Sequence, residues 1–265
     1  MTSHPHRPRP GAHGVAATLA GAAALAAGLA APLAGVAGAT GVAGLPPSAV
    51  VTRATDSVRS ASALVLTGTL RSGSGRLAFD VASTAHGTAA RGVFVSHARS
   101  VGFTGRLDFV ERRGAVYLHA GRAFWAAEVA RGGASLTPAQ RAAAAAVLAG
   151  RWIEMTGTSA KAMEASVGPL TRPADFARTL LSARALGTLH KGRLTHFRGH
   201  LVVPVTSSKG GTLYVAARGP ARPVGFVARA GSASGTILFG YPSHLAVASP
   251  AGSRTVAQVV KAVAG

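Results

Sequence analysis

The sequence has no cysteine, eight acidic residues among 265, and aromatic side chains at only 5%. Without cysteine there is no disulfide, no thiolate metal site, no cysteine nucleophile and no lipid-anchored N-terminal cysteine. The acids are Asp56, Asp80, Asp108, Glu111, Glu128, Glu154, Glu164 and Asp175, and after Asp175 there are none, although Arg and Lys continue to Lys261. A metal site in the C-terminal third would therefore lack both a local carboxylate ligand and the carboxylates that usually orient metal-bound histidines. Catalytic motifs are missing too. Gly231-Ser232-Ala233-Ser234-Gly235 has alanine where a nucleophile elbow needs serine, and Thr158-Ser159-Ala160-Lys161 lacks the serine in register and the companion motifs of a β-lactamase. No phosphate-cradling loop or dinucleotide fingerprint occurs. Asp80 and Asp108 read as strand-surface carboxylates facing arginines rather than as an acid–base pair. The chain is not expected to be an enzyme, and it is expected to need no cofactor and no metal.

What the sequence has is positive charge: 28 Lys and Arg against 8 acids, a formal +20. Ala, Gly, Arg and Val crowd the chain, so a GC-rich coding preference accounts for part of that charge. A basic surface steers towards anionic partners. No basic helix or aromatic-studded basic strand points to nucleic acid. An anionic membrane surface or wall polymers suit an exported protein better.

Export is what the first residues indicate. Arg7 and Arg9 lie in a polar lead, Gly14 to Thr52 carries no charge, and Val15 to Ala31 is a nearly continuous Ala/Leu/Gly run. Ala37-Gly38-Ala39 supplies the small-x-small pattern of a cleavage site. Residues 1–47 are read as a signal peptide or N-terminal membrane anchor and linker, and 48–265 as one domain. The expected location is a periplasm-like space, the cell wall or the exterior, free or tethered by an uncleaved leader.

Past Pro46-Pro47, Ser48 can cap a helix over about Ala49 to Ser62. The period then changes to two: Leu64, Leu66 and Leu70 alternate with Val65, Thr67 and Thr69, and Leu77, Phe79 and Val81 alternate with Arg76, Asp80 and Ser83 beyond the Ser72–Gly75 turn. Further strands are expected at 91–96, 104–112, 115–120 and 151–155. After Gly187 more follow at 193–198, 200–206, 211–218, 223–230 and 234–241. Thr137-Pro138 and Pro173 open helices, and a short helix closes the chain from about Thr255. The expected class is α+β: a large curved antiparallel sheet, a half-barrel of about eleven strands, with helices closing its concave face.

This order resembles the LolA/LppX/LprG-type envelope lipid carriers. The resemblance rests on Ala115-Val116-Tyr117-Leu118, Gly150-Arg151-Trp152-Ile153, Gly211-Thr212-Leu213-Tyr214-Val215 leading into Arg222-Pro223-Val224, Gly235-Thr236-Ile237-Leu238-Phe239, and Val247-Ala248-Ser249-Pro250. It covers nearly the whole chain after the leader, as a pattern of strands and marker residues. It implies a half-barrel around an apolar cavity that holds acyl chains, and so an exported carrier, expected as a monomer, of lipid or lipoglycan. One departure is the absent cysteine that closes the signal peptide of mycobacterial-type members. The candidate lining residues are Leu66, Phe79, Val81, Val95, Leu107, Phe109, Val116, Leu118, Trp152, Leu213, Val215, Ile237 and Phe239; Arg151, Arg193 and Arg222 are candidates for a head group. A second reading stays open: a basic wall-associated structural or interaction protein whose filled core binds nothing. His190, His196 and His200 have no nearby acid and no HExxH frame; Arg198-Gly199 reads as a hairpin turn that brings two of them together across strands.

Overall fold

The computed structural model describes residues 41–97, 104–132, 136–231 and 233–264. The apolar run and cleavage pattern of the leader, at 15–39, lie outside the described residues. After a short 3-10 turn at Val42–Gly44 comes α1, Pro47–Arg59. Its N-cap is Pro46 and its first helical residue Pro47, where a missing N–H costs nothing, so the helix starts ahead of the Ser48 cap expected from sequence. Five strands follow: β1 Ala63–Ser72, β2 Gly75–Thr84, β3 Ala89–Ser96, β4 Gly105–Arg112 and β5 Ala115–Ala120. Helices α2 (Arg122–Gly132) and α3 (Pro138–Leu148) lead to β6 (Trp152–Met155), then α4 (Gly157–Thr171), α5 (Pro173–Leu180) and α6 (Ala183–Leu186). The second run of strands is β7 Leu189–Lys191, β8 Thr195–Phe197, β9 His200–Ser207, β10 Gly211–Ala216, β11 Pro223–Ala230 and β12 Ala233–Gly240. Two-residue β13, Arg254–Thr255, enters α7, Val256–Ala264.

The thirteen strands among the described residues form one unclosed sheet, ordered β13-β6-β5-β4-β3-β2-β1-β12-β11-β10-β9-β7 with β8 also on β9. The class is α+β, as expected from sequence, with two strands more than expected. The additions, β7 and β13, are too short to show a period. Pairing is antiparallel except between β13 and β6. Two meanders are joined where β1 pairs with β12 from Val65↔Gly240 to Ser72↔Ala233. Local signals made each meander, since Arg113-Gly114 and Arg198-Gly199 take positive φ at both turn positions, the geometry that matches strand twist in a two-residue hairpin. The β1–β12 seam is a long-range pairing with no local signal.

Register separates the two faces. Leu66 lies opposite Val81 and Phe239, Phe79 opposite Phe94, Phe94 opposite Leu107, and Phe109 opposite Leu118. These residues form the inner face, buried under the helices in one apolar cluster with Phe176, Leu170 and Leu181. Helix α1 packs over β7, β9 and β11; α4 packs over β2, β3 and β5; α5 packs between these two helices. Capping fixes α3 as sequence suggested: Thr137 accepts from the Gln140 N–H, and the Gln140 side chain accepts from the Thr137 N–H.

Four inner-face glycines share one device. A Cβ on Gly68 would stand 2.9 Å from the Phe79 ring, on Gly92 2.7 Å from Phe109, on Gly211 2.6 Å from Phe226, and on Gly235 2.7 Å from Leu70. Each large side chain thus lies flat across a glycine of the neighbouring strand. The bulk is laid along the sheet instead of standing on it, which lets the helices approach the sheet closely.

Candidate functional site

The site expected from sequence is the inner face, and the sheet register assigns every candidate to a face. Leu66, Phe79, Val81, Leu107, Phe109, Val116, Leu118, Leu213, Val215, Ile237 and Phe239 share the inner face. Val95 and Trp152 do not, which corrects their place in the expected lining. In β3 both alternations look apolar. The inner one is Ala90, Gly92 and Phe94, because Phe94 meets Phe79 and Leu107, and this leaves Val95 outside opposite Ala78 and Arg106. In β6, Ile153 takes the inner position opposite Leu118, and Trp152 faces outward opposite His119 with ring centroids 5.3 Å apart.

Apart from Phe239, the inner candidates are between 0% and 5% exposed. Accessible surface includes the walls of any void that admits water, so in this conformation no open channel runs along them. Phe239 is half-buried and meets Phe176 of α5 edge to face, with centroids 5.5 Å apart. The helical cover is thin where the β1–β2 and β11–β12 hairpins end. There Leu70, Phe226, Ala228 and Gly235 are half-buried on the inner face. Sequence reasoning passed over Leu70 and Phe226, although both fall in the alternation of their strands. It also passed over Phe94, whose ring stacks on Phe109 at 5.3 Å.

Among the described residues, one buried charged group stands on the inner face. Glu111, opposite Val116, is 4% exposed. Arg172 donates to it at 3.3 Å and to Glu164 at 3.2 Å, so one guanidinium is clamped by two carboxylates. Arg172 is both the last cap of α4 and the first of α5, so the clamp ties the helix junction to the sheet. Burial pushes the Glu111 carboxyl up, and nearby Glu164 adds to this, while Arg172 and Thr171 oppose it. Chemically this is a structural tie between the helix junction and the sheet.

On the outer face, Asp80 and Asp108 are separated by Val93, each opposite it in register, so about two strand spacings or 10 Å lie between them. Burial raises Asp108, but hydrogen bonding and charge from Arg106, with a smaller share from His119, outweigh it and hold the carboxyl below its ordinary range. The hydrogen bond from His119 Nδ1 spans 3.4 Å.

The three arginines singled out for a head group are exposed but scattered. Arg151 precedes β6 at the end of the sheet where β5 finishes, Arg193 lies between β7 and β8, and Arg222 precedes β11 at the opposite end. The Arg222 guanidinium sits 5.0 Å above the Tyr241 ring. The histidines separate as well. His196 is opposite Leu201 and His200 opposite Phe197, which puts them on different faces of the hairpin, and His190 is opposite Thr206 on β7. The turn is as expected from sequence; the cross-strand histidine pair is not. Among the described residues there is no cluster of three metal-ligating side chains, and no helix is long and apolar enough to cross a membrane.

No family model matches the sequence, and no curated protein matches it. The chain is similar in structure to LprF from Mycobacterium bovis, at 11% identity and TM-score 0.48 over 78% of this chain and 97% of that one. It is similar to the lipoprotein LppX of Mycobacterium tuberculosis, at 12% identity and TM-score 0.47 over 76% and 98%. Similarity to the MucA/MucB complex of Pseudomonas aeruginosa is at 11% identity and TM-score 0.33 over 80% and 60%.

Proposed function

We propose that this chain is an exported lipid-binding protein, with residues 48–265 as one domain that sequesters acyl chains between the inner sheet face and its helices. The observation that carries the reading is the inner face itself. A broad sheet presents aromatic and aliphatic side chains laid flat, with its helical cover thinned over Leu70, Phe226, Ala228 and Gly235. The driving force is removal of apolar surface from water, about 0.8 kcal/mol per methylene, hence on the order of 12 kcal/mol for a sixteen-carbon chain. That gain must exceed the cost of opening. Lifting α4 and α5 uncovers Val167, Leu170, Phe176 and Leu181, all buried, at about 1.5–3 kcal/mol each. The two sums are of similar size, so a ligand has to refill the surface the helices leave. Loading is therefore an exchange of helix contacts for ligand contacts, with the hairpin end as the entry. No chemical step is involved.

The closed packing favours a second reading from a different class, a wall-associated interaction protein with a filled core. Native mass spectrometry of the protein from its own host, with solvent extraction, separates the two. A stoichiometric acyl lipid lost in Phe109→Asp or Val215→Asp supports the carrier. Lipid-free protein that also fails to take up a fluorescent fatty acid refutes it and leaves the filled-core reading.

A further inference from the structure

The hairpin end that thins over the apolar face also carries a row of unpaired cations. On the outer face Arg71 lies directly opposite Arg76, Arg71 is also opposite Ser234, and Ser234 is opposite Arg229. Three arginines thus span four adjacent strands at one level, within about 15 Å. All three are exposed, and none pairs with a described carboxylate. Like charges directly opposite in a sheet repel, and nothing local relieves it. Strands β1, β9, β10, β11 and β12 contain no acid, and on β2 the nearest, Asp80, is four residues from Arg76, about 13 Å along the strand. The turns beyond the arginines are small: Gly73 and Ser74 between β1 and β2, Gly231 after β11. Among the described residues of these two turns, nothing bulky screens the cations and no aromatic side chain projects past them.

From this juxtaposition we infer that the β1–β2 and β11–β12 hairpin end is a docking face for an anionic lipid bilayer, held by Arg71, Arg76 and Arg229. Charge complementarity selects an anionic surface. A bilayer fits better than a soluble polymer, because the uncovered apolar positions Leu70 and Phe226 open at the same end and a bilayer supplies acyl chains there. The inference rests on the lipid-binding reading. It replaces the scattered Arg151, Arg193 and Arg222 with a row that the β1–β12 seam assembles. Small turns make the contact peripheral, so it weakens as salt screens it.

The test is co-sedimentation of the full chain with phosphatidylcholine vesicles, with and without phosphatidylglycerol, at low and high salt. The quantity read is the ratio of binding to anionic over neutral vesicles, which removes any charge-independent contribution of the apolar leader. Arg71→Gln/Arg76→Gln/Arg229→Gln is compared with Arg193→Gln/Arg198→Gln/Arg218→Gln, which removes the same charge elsewhere. The expected loss for the hairpin variant is on the order of 100-fold, from three cations near an anionic surface, against a few-fold for the control. An equal loss in both variants means that binding follows net charge alone and overturns the inference. So does the absence of any anionic preference in the parent, or hairpin-dependent binding to polyphosphate without binding to vesicles. Uptake of a fluorescent fatty acid from solution is measured on the same proteins. Docking lost with uptake intact refutes only this face, whereas docking retained without uptake refutes the carrier.

Discussion

Replacing Arg172 by methionine removes the cation that Glu111 and Glu164 share. Glu164 is at a more exposed position and can hydrate, but Glu111 is 4% exposed on the inner face and cannot. Left unpaired, it has two options: remain charged in an apolar layer, at about 3–5 kcal/mol, or take up a proton. The second sets the upper limit. Protonating a carboxyl of ordinary pKa costs about 3.7 kcal/mol at pH 7 and about 1 kcal/mol at pH 5, at 1.36 kcal/mol per unit. The variant should therefore lose about 3–4 kcal/mol at pH 7 and only about 1–2 kcal/mol at pH 5, the small excess being the lost ion pair with Glu164. The direction follows from linkage. With the folded pKa of Glu111 raised further, the folded state holds the extra proton, so stability falls as pH rises through the window above the ordinary glutamate value. Urea unfolding at both pH values reads the difference directly. Adding Glu111→Gln should restore most of the loss at pH 7, because no buried charge remains. A loss that is the same at both pH values, or a double variant no more stable than Arg172→Met, would refute the clamp as the source of the energy.

The glycine device gives a second prediction: a Cβ on Gly92 would stand 2.6 Å from the Asp80 carbonyl oxygen and 2.7 Å from the Phe109 ring, so Gly92→Ala should destabilise by about 1–3 kcal/mol. Gly44→Ala, with nothing within 4 Å, should be near neutral in the same thermal melts. Wild-type stability should decline as pH rises just above the ordinary glutamate range, since burial raises both Glu111 and Glu128; a pH titration of the urea midpoint in Glu111→Gln should show a shallower slope. Trp152→Ala on the outer face should leave fatty-acid uptake within about twofold, because the ring contributes nothing to the inner layer, whereas Phe109→Asp should abolish it. Zinc should not raise the melting temperature of the parent more than that of His196→Ala, because His196 and His200 lie on opposite hairpin faces.

Strands were legible where one alternation was apolar and the other polar. β1, β2 and β10 meet that condition, and Leu66, Phe79, Val81, Leu213 and Val215 fall on the inner face as expected. Legibility failed at β3, where Val93 and Val95 compete with Phe94 and only partners on β2 and β4 decide the face. It failed at Trp152 because β6 has four residues, too few to average out the attraction of one large apolar side chain. Helices α2 and α4 were missed for a different reason. α2 has only a weak stripe, since Phe124 and Trp125 are adjacent and only Trp125 is followed a turn later by a larger apolar residue, Val129, and α4 carries Pro169 within it. The clamp could not be read at all. Glu111 and Arg172 are 61 residues apart, and their meeting depends on where α4 comes to rest.

The outermost strands carry a consequence for how copies of the chain meet. An open sheet of this width has two rims of unsatisfied backbone, and such rims normally recruit a neighbour's strand. Here one rim is shared by three-residue β7 and β8, with Lys191 donating from its ammonium to the carbonyls of Ala43 and Leu45 and so folding the entering chain over the border. The other rim is β13, two residues long, running parallel and turning at once into α7. Neither offers a third chain a straight ladder longer than a few bonds. In the proposed carrier the helices lift from the apolar face to load, and rims this short give a neighbouring copy little backbone to pair with while that face is uncovered.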